Sequence, residues 1–146
     1  MEPRPGLFLQ PFVVAQLVGA LVADMLEGTG LSGAEFAVTS AIAIWPGITP
    51  TELARRLGMP ATTLSALLNR LEEKGQVRRS RDPADGRRSI LALTAKGART
   101  RQRSLERFPA WLRRVREELD GDPENVLEAM RLLEAALRAA LESPPD

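Results

Sequence analysis

The sequence predicts a mainly α-helical fold with one small β-hairpin. Three observations carry that expectation. Two short helical segments with clear start signals meet at Gly58 and Pro60, an acidic turn at Asp82 to Gly86 precedes an alternating apolar run, and long apolar segments at helical spacing stand towards both ends. The 146 residues match the size of one ordinary domain, and a hydrophobic content of 44% is enough to build a packed core.

Residues 7–27, LFLQPFVVAQLVGALVADMLE, are apolar over more than half of the helical circumference, with Val14, Leu17, Val18, Leu21, Met25 and Leu26 at three- and four-residue spacings. Such a helix has to be covered on most sides. Ser32-Gly33-Ala34-Glu35 then reads as a capping box opening a helix to about Trp45, stopped by Pro46-Gly47. Thr49-Pro50-Thr51-Glu52 combines an N-cap, a proline at the first helical position and a glutamate three residues after the cap, so a short helix follows through Leu57. Gly58 can take the left-handed conformation that ends it, and Pro60 introduces ATTLSALLNRLEEKG, closed by Gly75. Leu53, Ala54, Leu57, Leu64, Leu67, Leu68 and Leu71 supply the inward face of this helix-turn-helix.

Gln76 to Arg81 reads as a strand, Asp82 to Gly86 as its turn and Ser89 to Leu93 as the returning strand. A hairpin in this position is a wing. Thr94 is placed to cap a long helix to about Leu119, with Leu105, Phe108, Trp111, Leu112 and Val115 along its stripe and Pro109 kinking or restarting it. Asp120-Gly121-Asp122-Pro123 ends that segment and caps a last helix with Val126, Leu127, Met130, Leu133, Leu137 and Leu141 on one face, before a frayed end at residues 143–146. One domain is expected, with a lobe at 31–97 and helices at 1–30 and 98–146 available for dimerisation.

With no Cys and no His, disulfides, thiolate nucleophiles, the serine-histidine triad and the usual zinc sites are excluded. Neither a catalytic site nor a metal site nor a cofactor is expected. Glu72-Glu73 and Glu117-Glu118 are sequence neighbours that diverge around a helix, which argues against a paired-carboxylate enzyme. No uninterrupted apolar run reaches the roughly 20 residues that span a bilayer, and Met1 to Pro5 lack the pattern of a signal peptide. A soluble, cytoplasmic protein is the expectation.

The formal charge of +1 hides a partition. Residues 49–104 carry thirteen Lys and Arg against five acids, a local +8, whereas the segments before and after carry −3 and −4. An anionic partner follows, because local field and counterion release depend on the patch rather than on the total. The helix from Ala61 offers Thr62, Thr63, Ser65, Ala66, Asn69 and Arg70 as an almost acid-free polar face of the kind that enters a major groove, and Thr49 stands beside it. An ordinary solvated face is the plainer reading of that helix alone; the preceding capped helix, the wing and the basic island favour DNA. Around the turn, Arg79, Arg81, Arg87 and Arg88 suit a narrow minor groove, a charged edge that discourages sheet aggregation being the plainer reading, and Asp82 and Asp85 can bond the turn backbone or pair with an arginine. Arg55, Arg56, Lys74, Arg101 and Arg103 fit phosphate contacts or solvated charges better than base contacts. Phe12, Phe36, Trp45 and Trp111 are candidates to line a ligand pocket, although core or subunit-interface packing is the simpler account of apolar residues at helical spacing. A second copy is the natural cover for the apolar flanks, and a two-fold dimer gives two lobes a fixed separation on a palindromic site.

On LSGAEFAVTSAIAIWPGITPTELARRLGM, LSALLNRLEEKGQVRR and above all DPADGRRSILALTAKG, the chain resembles the MarR family of winged helix-turn-helix regulators from about Leu31 to Gly97. The resemblance implies a homodimer with intertwined terminal helices on a pseudo-palindromic operator, acting as a repressor that a small phenolic or otherwise anionic effector releases. It implies a recognition helix from Ala61, a minor-groove arginine at Arg87 in an Asp-x-Arg motif, and Asp85 orienting the wing. Asn69 stands where many members carry Asp, so a neutral hydrogen bond would replace an ionic tie to the wing. The alternative from another class is a winged-helix protein-interaction module with no sequence-specific DNA binding.

Overall fold

Two reciprocal capping boxes start the helices around which the core forms. In the computed structural model, which describes residues 6–143, Ser32 Oγ accepts from Glu35 N–H at 3.2 Å while Glu35 returns a bond to Ser32 N–H at 2.9 Å, opening α2 (Gly33–Ile44). Thr49 and Glu52 repeat the pattern at 3.2 and 3.1 Å and open α3 (Pro50–Leu57), with Pro50 in the first turn. Each box satisfies donors that a helix start otherwise leaves to solvent. Gly58 ends α3 at φ 62°, a left-handed conformation that glycine takes without steric cost, and α4 (Ala61–Glu73) follows Pro60.

The hairpin comprises β1 (Val77–Arg81) and β2 (Ser89–Leu93), antiparallel, with Val77 opposite Leu93, Arg79 opposite Leu91 and Arg81 opposite Ser89. It is tied to the helices twice. Leu91 N–H donates to Ile48 O at 2.9 Å in the α2–α3 connection, and the core residues Val77 and Leu91 sit against α2, α3 and α4. Val38, Leu53, Leu64, Leu68, Leu71 and Leu91 are almost wholly removed from water, each such burial being worth about 1.5–3 kcal/mol.

The expected long helix after the wing is two helices. Thr94 caps α5 (Ala95–Ser104) through Gly97 N–H, and α6 (Phe108–Glu118) starts after a turn at Leu105 to Arg107. Of the two outcomes expected at Pro109 the restart is the one adopted: a proline there clashes with the carbonyl four residues back, and only the first helical turn tolerates it. The last helix, α7 (Pro123–Glu142), begins at its Asp122 cap as expected. The chain divides into two compact units, one ending at Phe108 and the other beginning at Pro109. In the second, α7 is stitched by Arg138–Glu134 at 2.8 Å, and Val126, Leu127, Met130, Leu137 and Leu141 lie exposed along it.

The first helix is α1 (Leu9–Leu26). This helix is long and apolar enough, by length and composition, to cross a membrane. Gln10, Gln16 and Asp24 interrupt its apolar run, as the sequence indicates, while its mean hydropathy over 18 residues with Asp24 as the single charge is still high. Only its C-terminal Met25 and Leu26 are buried, and Phe12, Leu17 and Val18 are exposed. The readings made for residues 1–5 and 144–146 fall outside the described residues.

Candidate nucleic-acid interface

Helix α4 turns Leu64, Leu67, Leu68 and Leu71 into the core, so the residues between them have to face outwards. Thr62, Thr63, Ser65, Ala66, Asn69 and Arg70 are all exposed on that outer face, as their spacing requires. Thr49 is half-buried, and its hydroxyl donates to Glu52 Oε2 at 2.9 Å while receiving Glu52 N–H; it serves the α3 cap.

At the wing, Asp82 and Asp85 fold the tip as short acidic side chains do in turns. Asp82 Oδ1 accepts from Ala84 N–H at 2.9 Å and Asp85 Oδ1 from Arg87 N–H at 3.0 Å. Arg88 closes the loop, its N–H donating to Asp85 O and its carbonyl accepting from Asp82 N–H, both at 2.9 Å. Arg87 therefore leaves a backbone fixed on its own amide. Arg81 and Arg87 are exposed, and they line an open concave surface with Ser80, Gly86 and Ser89.

Arg79 and Arg88 line the same surface and are in addition held by carboxylates of the protein. Arg79 shares the Leu91 side of the hairpin, so its stem runs over the core and its guanidinium emerges at α4, where Nε meets Glu72 Oε2 at 3.1 Å and Nη2 meets Asn69 Oδ1 at 3.2 Å. A DNA contact is the expectation for Arg79, and its pairing also makes it a brace between β1 and α4. The neutral bond expected of Asn69 is present. Arg88 Nη2 lies 3.4 Å from Glu52 Oε1 on α3, so its charge is likewise shared with the protein.

Three of the weaker basic candidates, Lys74, Arg56 and Arg101, also have partners. Lys74 Nζ sits 2.8 and 2.9 Å from the two oxygens of buried Glu35 and 3.0 Å from Gly30 O, closing the end of α4 onto the start of α2. Burial alone would raise the Glu35 pKa, but Lys74 and Ser32 N–H outweigh it and hold the carboxyl below its ordinary value. Arg56 lies over the Trp45 ring, 4.5 Å from its centre, and Arg101 donates to Ser40. Phe36 and Trp45 pack against the core cluster, which is the simpler of the two accounts the sequence left for them; Phe12 is exposed on α1 and Trp111 is half-buried in α6.

Sequence reasoning missed Glu52 and Glu72 as wing supports, and it missed Gly97. A side chain on Gly97 would run into the backbone of Gln76, which identifies the glycine as the point where α5 meets the start of β1. Among the described residues no group of three or more His, Cys, Asp and Glu is placed to hold a metal ion.

The basic lobe has close relatives of known family. Residues 29–88 match the MarR family, and a MarR mutant from Escherichia coli in complex with operator DNA superposes with a TM-score of 0.76 at 28% identity, over 90% of this chain and 93% of that one. The helix-turn-helix and wing of the chain are similar to the MarR family. The Transcriptional regulator HosA of Escherichia coli O111:H- is 43% identical over 67 residues, 46% of this chain and 50% of that protein. The MarR-family match thus spans about half the length of the curated relatives it reaches. The PcaV transcriptional regulator from Streptomyces coelicolor, in complex with its natural ligand, superposes with a TM-score of 0.67 at 25% identity, over 92% of this chain and 99% of that one. The residues matched to the family include α3, α4, β1 and the turn after it, where the exposed polar face and Arg87 lie.

Proposed function

We propose that the chain is a sequence-specific DNA-binding transcriptional regulator, with α4 in the major groove and the wing in an adjacent minor groove. The observation that carries this reading is the division of labour among the basic side chains. Arg79, Arg88 and Lys74 are ion-paired within the lobe, Arg81 and Arg87 stand exposed on the wing, and α4 bears no acid among its outward residues from Thr62 to Arg70. Phosphate contacts would supply affinity and α4 the sequence preference. That the MarR relative was solved on operator DNA supports the same reading.

The finer parts of the proposal are a cytoplasmic homodimer that represses from a pseudo-palindromic operator and an effector that releases it. Exposed apolar side chains on α1 and α7 support the dimer, since isolated soluble chains seldom leave such faces bare. The ligand-bound PcaV supports a small-molecule effector, whose phenolic or otherwise anionic class is what the family resemblance implies. In vitro selection on random duplexes tests the core of the proposal. It should return a two-fold-related motif whose affinity falls steeply with salt; binding without sequence preference refutes the specific reading.

A further inference from the structure

We propose that Glu52 is a positioning residue for the wing: while capping α3 it holds Arg88, and through Arg88 it sets where the neighbouring Arg87 is presented to a duplex. The inference rests on the DNA-binding reading and deepens it. Glu52 divides its two oxygens. Oε2 accepts from Thr49 N–H at 3.1 Å and from the Thr49 hydroxyl at 2.9 Å, which leaves Oε1 to meet Arg88 Nη2 at 3.4 Å. The carboxylate is already immobilised by the cap before the arginine arrives, so the ion pair has to order one long side chain and not two. Its ionised form is favoured first by the Thr49 N–H, then by the Thr49 hydroxyl, with Arg88 and Arg56 adding to them.

Arg88 is the residue through which such a hold reaches the tip. Its own N–H and carbonyl close the loop onto Asp85 and Asp82, so restraining its side chain restrains the loop base from which Arg87 projects. The opposite strand has a counterpart, with Arg79 gripped by Glu72 and Asn69 of α4. Each side of the wing, β1 at Arg79 and the loop base at Arg88, is thus fastened by a carboxylate from a different helix of the helix-turn-helix. If Arg88 were simply a phosphate contact, the Glu52 carboxylate beside it would oppose binding and its removal would help; if Glu52 positions the wing, its removal harms.

Glu52→Gln keeps an acceptor for Thr49 and removes the charge, and Arg88→Met keeps the stem and removes the guanidinium. Both are measured in the full chain against the duplex that wild type selects, with thermal midpoints confirming an intact fold. The brace predicts that each variant binds about two- to fivefold more weakly, that the double variant is no weaker than either, and that amide exchange at residues 82–88 of the free protein accelerates. Tighter binding by Glu52→Gln, additive losses in the double variant, or unchanged wing exchange would overturn it. Should wild type select no duplex, the DNA-binding reading fails while wing exchange in the free variants still decides the brace.

Discussion

Replacing Gly97 with alanine should destabilise the lobe, although the same change in a helix interior ordinarily stabilises by about 0.5–1 kcal/mol. Gly97 lies in the first turn of α5, where an added Cβ would meet the Gln76 carbonyl oxygen first and would stand 2.8 Å from its carbonyl carbon and 3.1 Å from its Cα. Relaxed carbon contacts begin near 3.5 Å, so the backbones must separate by about 0.7 Å, and further for the oxygen. Gln76 has little freedom to retreat. It is buried, its N–H donates to Leu71 O at 2.8 Å, and its carbonyl accepts from Thr94 N–H at 3.0 Å. Overpacking of this kind costs about 1–3 kcal/mol and the Thr94 bond is worth about 1 more. After the helical gain is subtracted, about 2 kcal/mol of net destabilisation remains. Urea unfolding followed by far-UV circular dichroism should show the midpoint falling by about 1 M. A midpoint equal to or above that of wild type would refute the close approach of α5 to β1.

Lys74→Met leaves the buried Glu35 without its cation and should cost about 1–3 kcal/mol in the same assay, more than loss of the exposed pair Arg114–Glu118, which should change stability by less than about 0.5 kcal/mol. Because the folded pKa of Glu35 is held below its unfolded value, its contribution is complete above the unfolded value and is lost as pH falls through the folded one. The stability gap between wild type and Glu35→Gln should therefore narrow in acid, and a gap that widens there contradicts the assignment. Thr49→Ala removes the α3 cap and should cost about 0.5–2 kcal/mol in thermal unfolding. Asp85→Ala should leave global stability nearly unchanged while lowering amide protection at Arg87, whose N–H it would release.

Much of the lobe was legible because its instructions are local. Ser32 with Glu35 and Thr49 with Glu52 announce helix starts within four residues, and Gly58 and Pro60 mark the turn between α3 and α4. The β2 bounds at Ser89 and Leu93 follow from turn chemistry and alternation. The same locality explains the misses. Nothing near Glu52 in sequence points to Arg88, 36 residues away, nor does anything near Lys74 point to Glu35, 39 residues away. Arg79 reads as a free basic residue until register places it opposite Leu91, and only then does its head reach Glu72 and Asn69. Gly97 lacks a positive φ to betray it, since what it requires is the absence of a side chain against a distant carbonyl.

The central claim is that Arg87, held out by the Asp85 turn, contacts DNA specifically while α4 reads the adjacent groove. Its most direct test is the affinity of wild type and Arg87→Ala for the selected duplex at physiological salt, repeated across a salt series. The account predicts a loss of about 1–3 kcal/mol, with the sequence preference flattened at the wing position. Equal affinity of the two proteins for that duplex would contradict it.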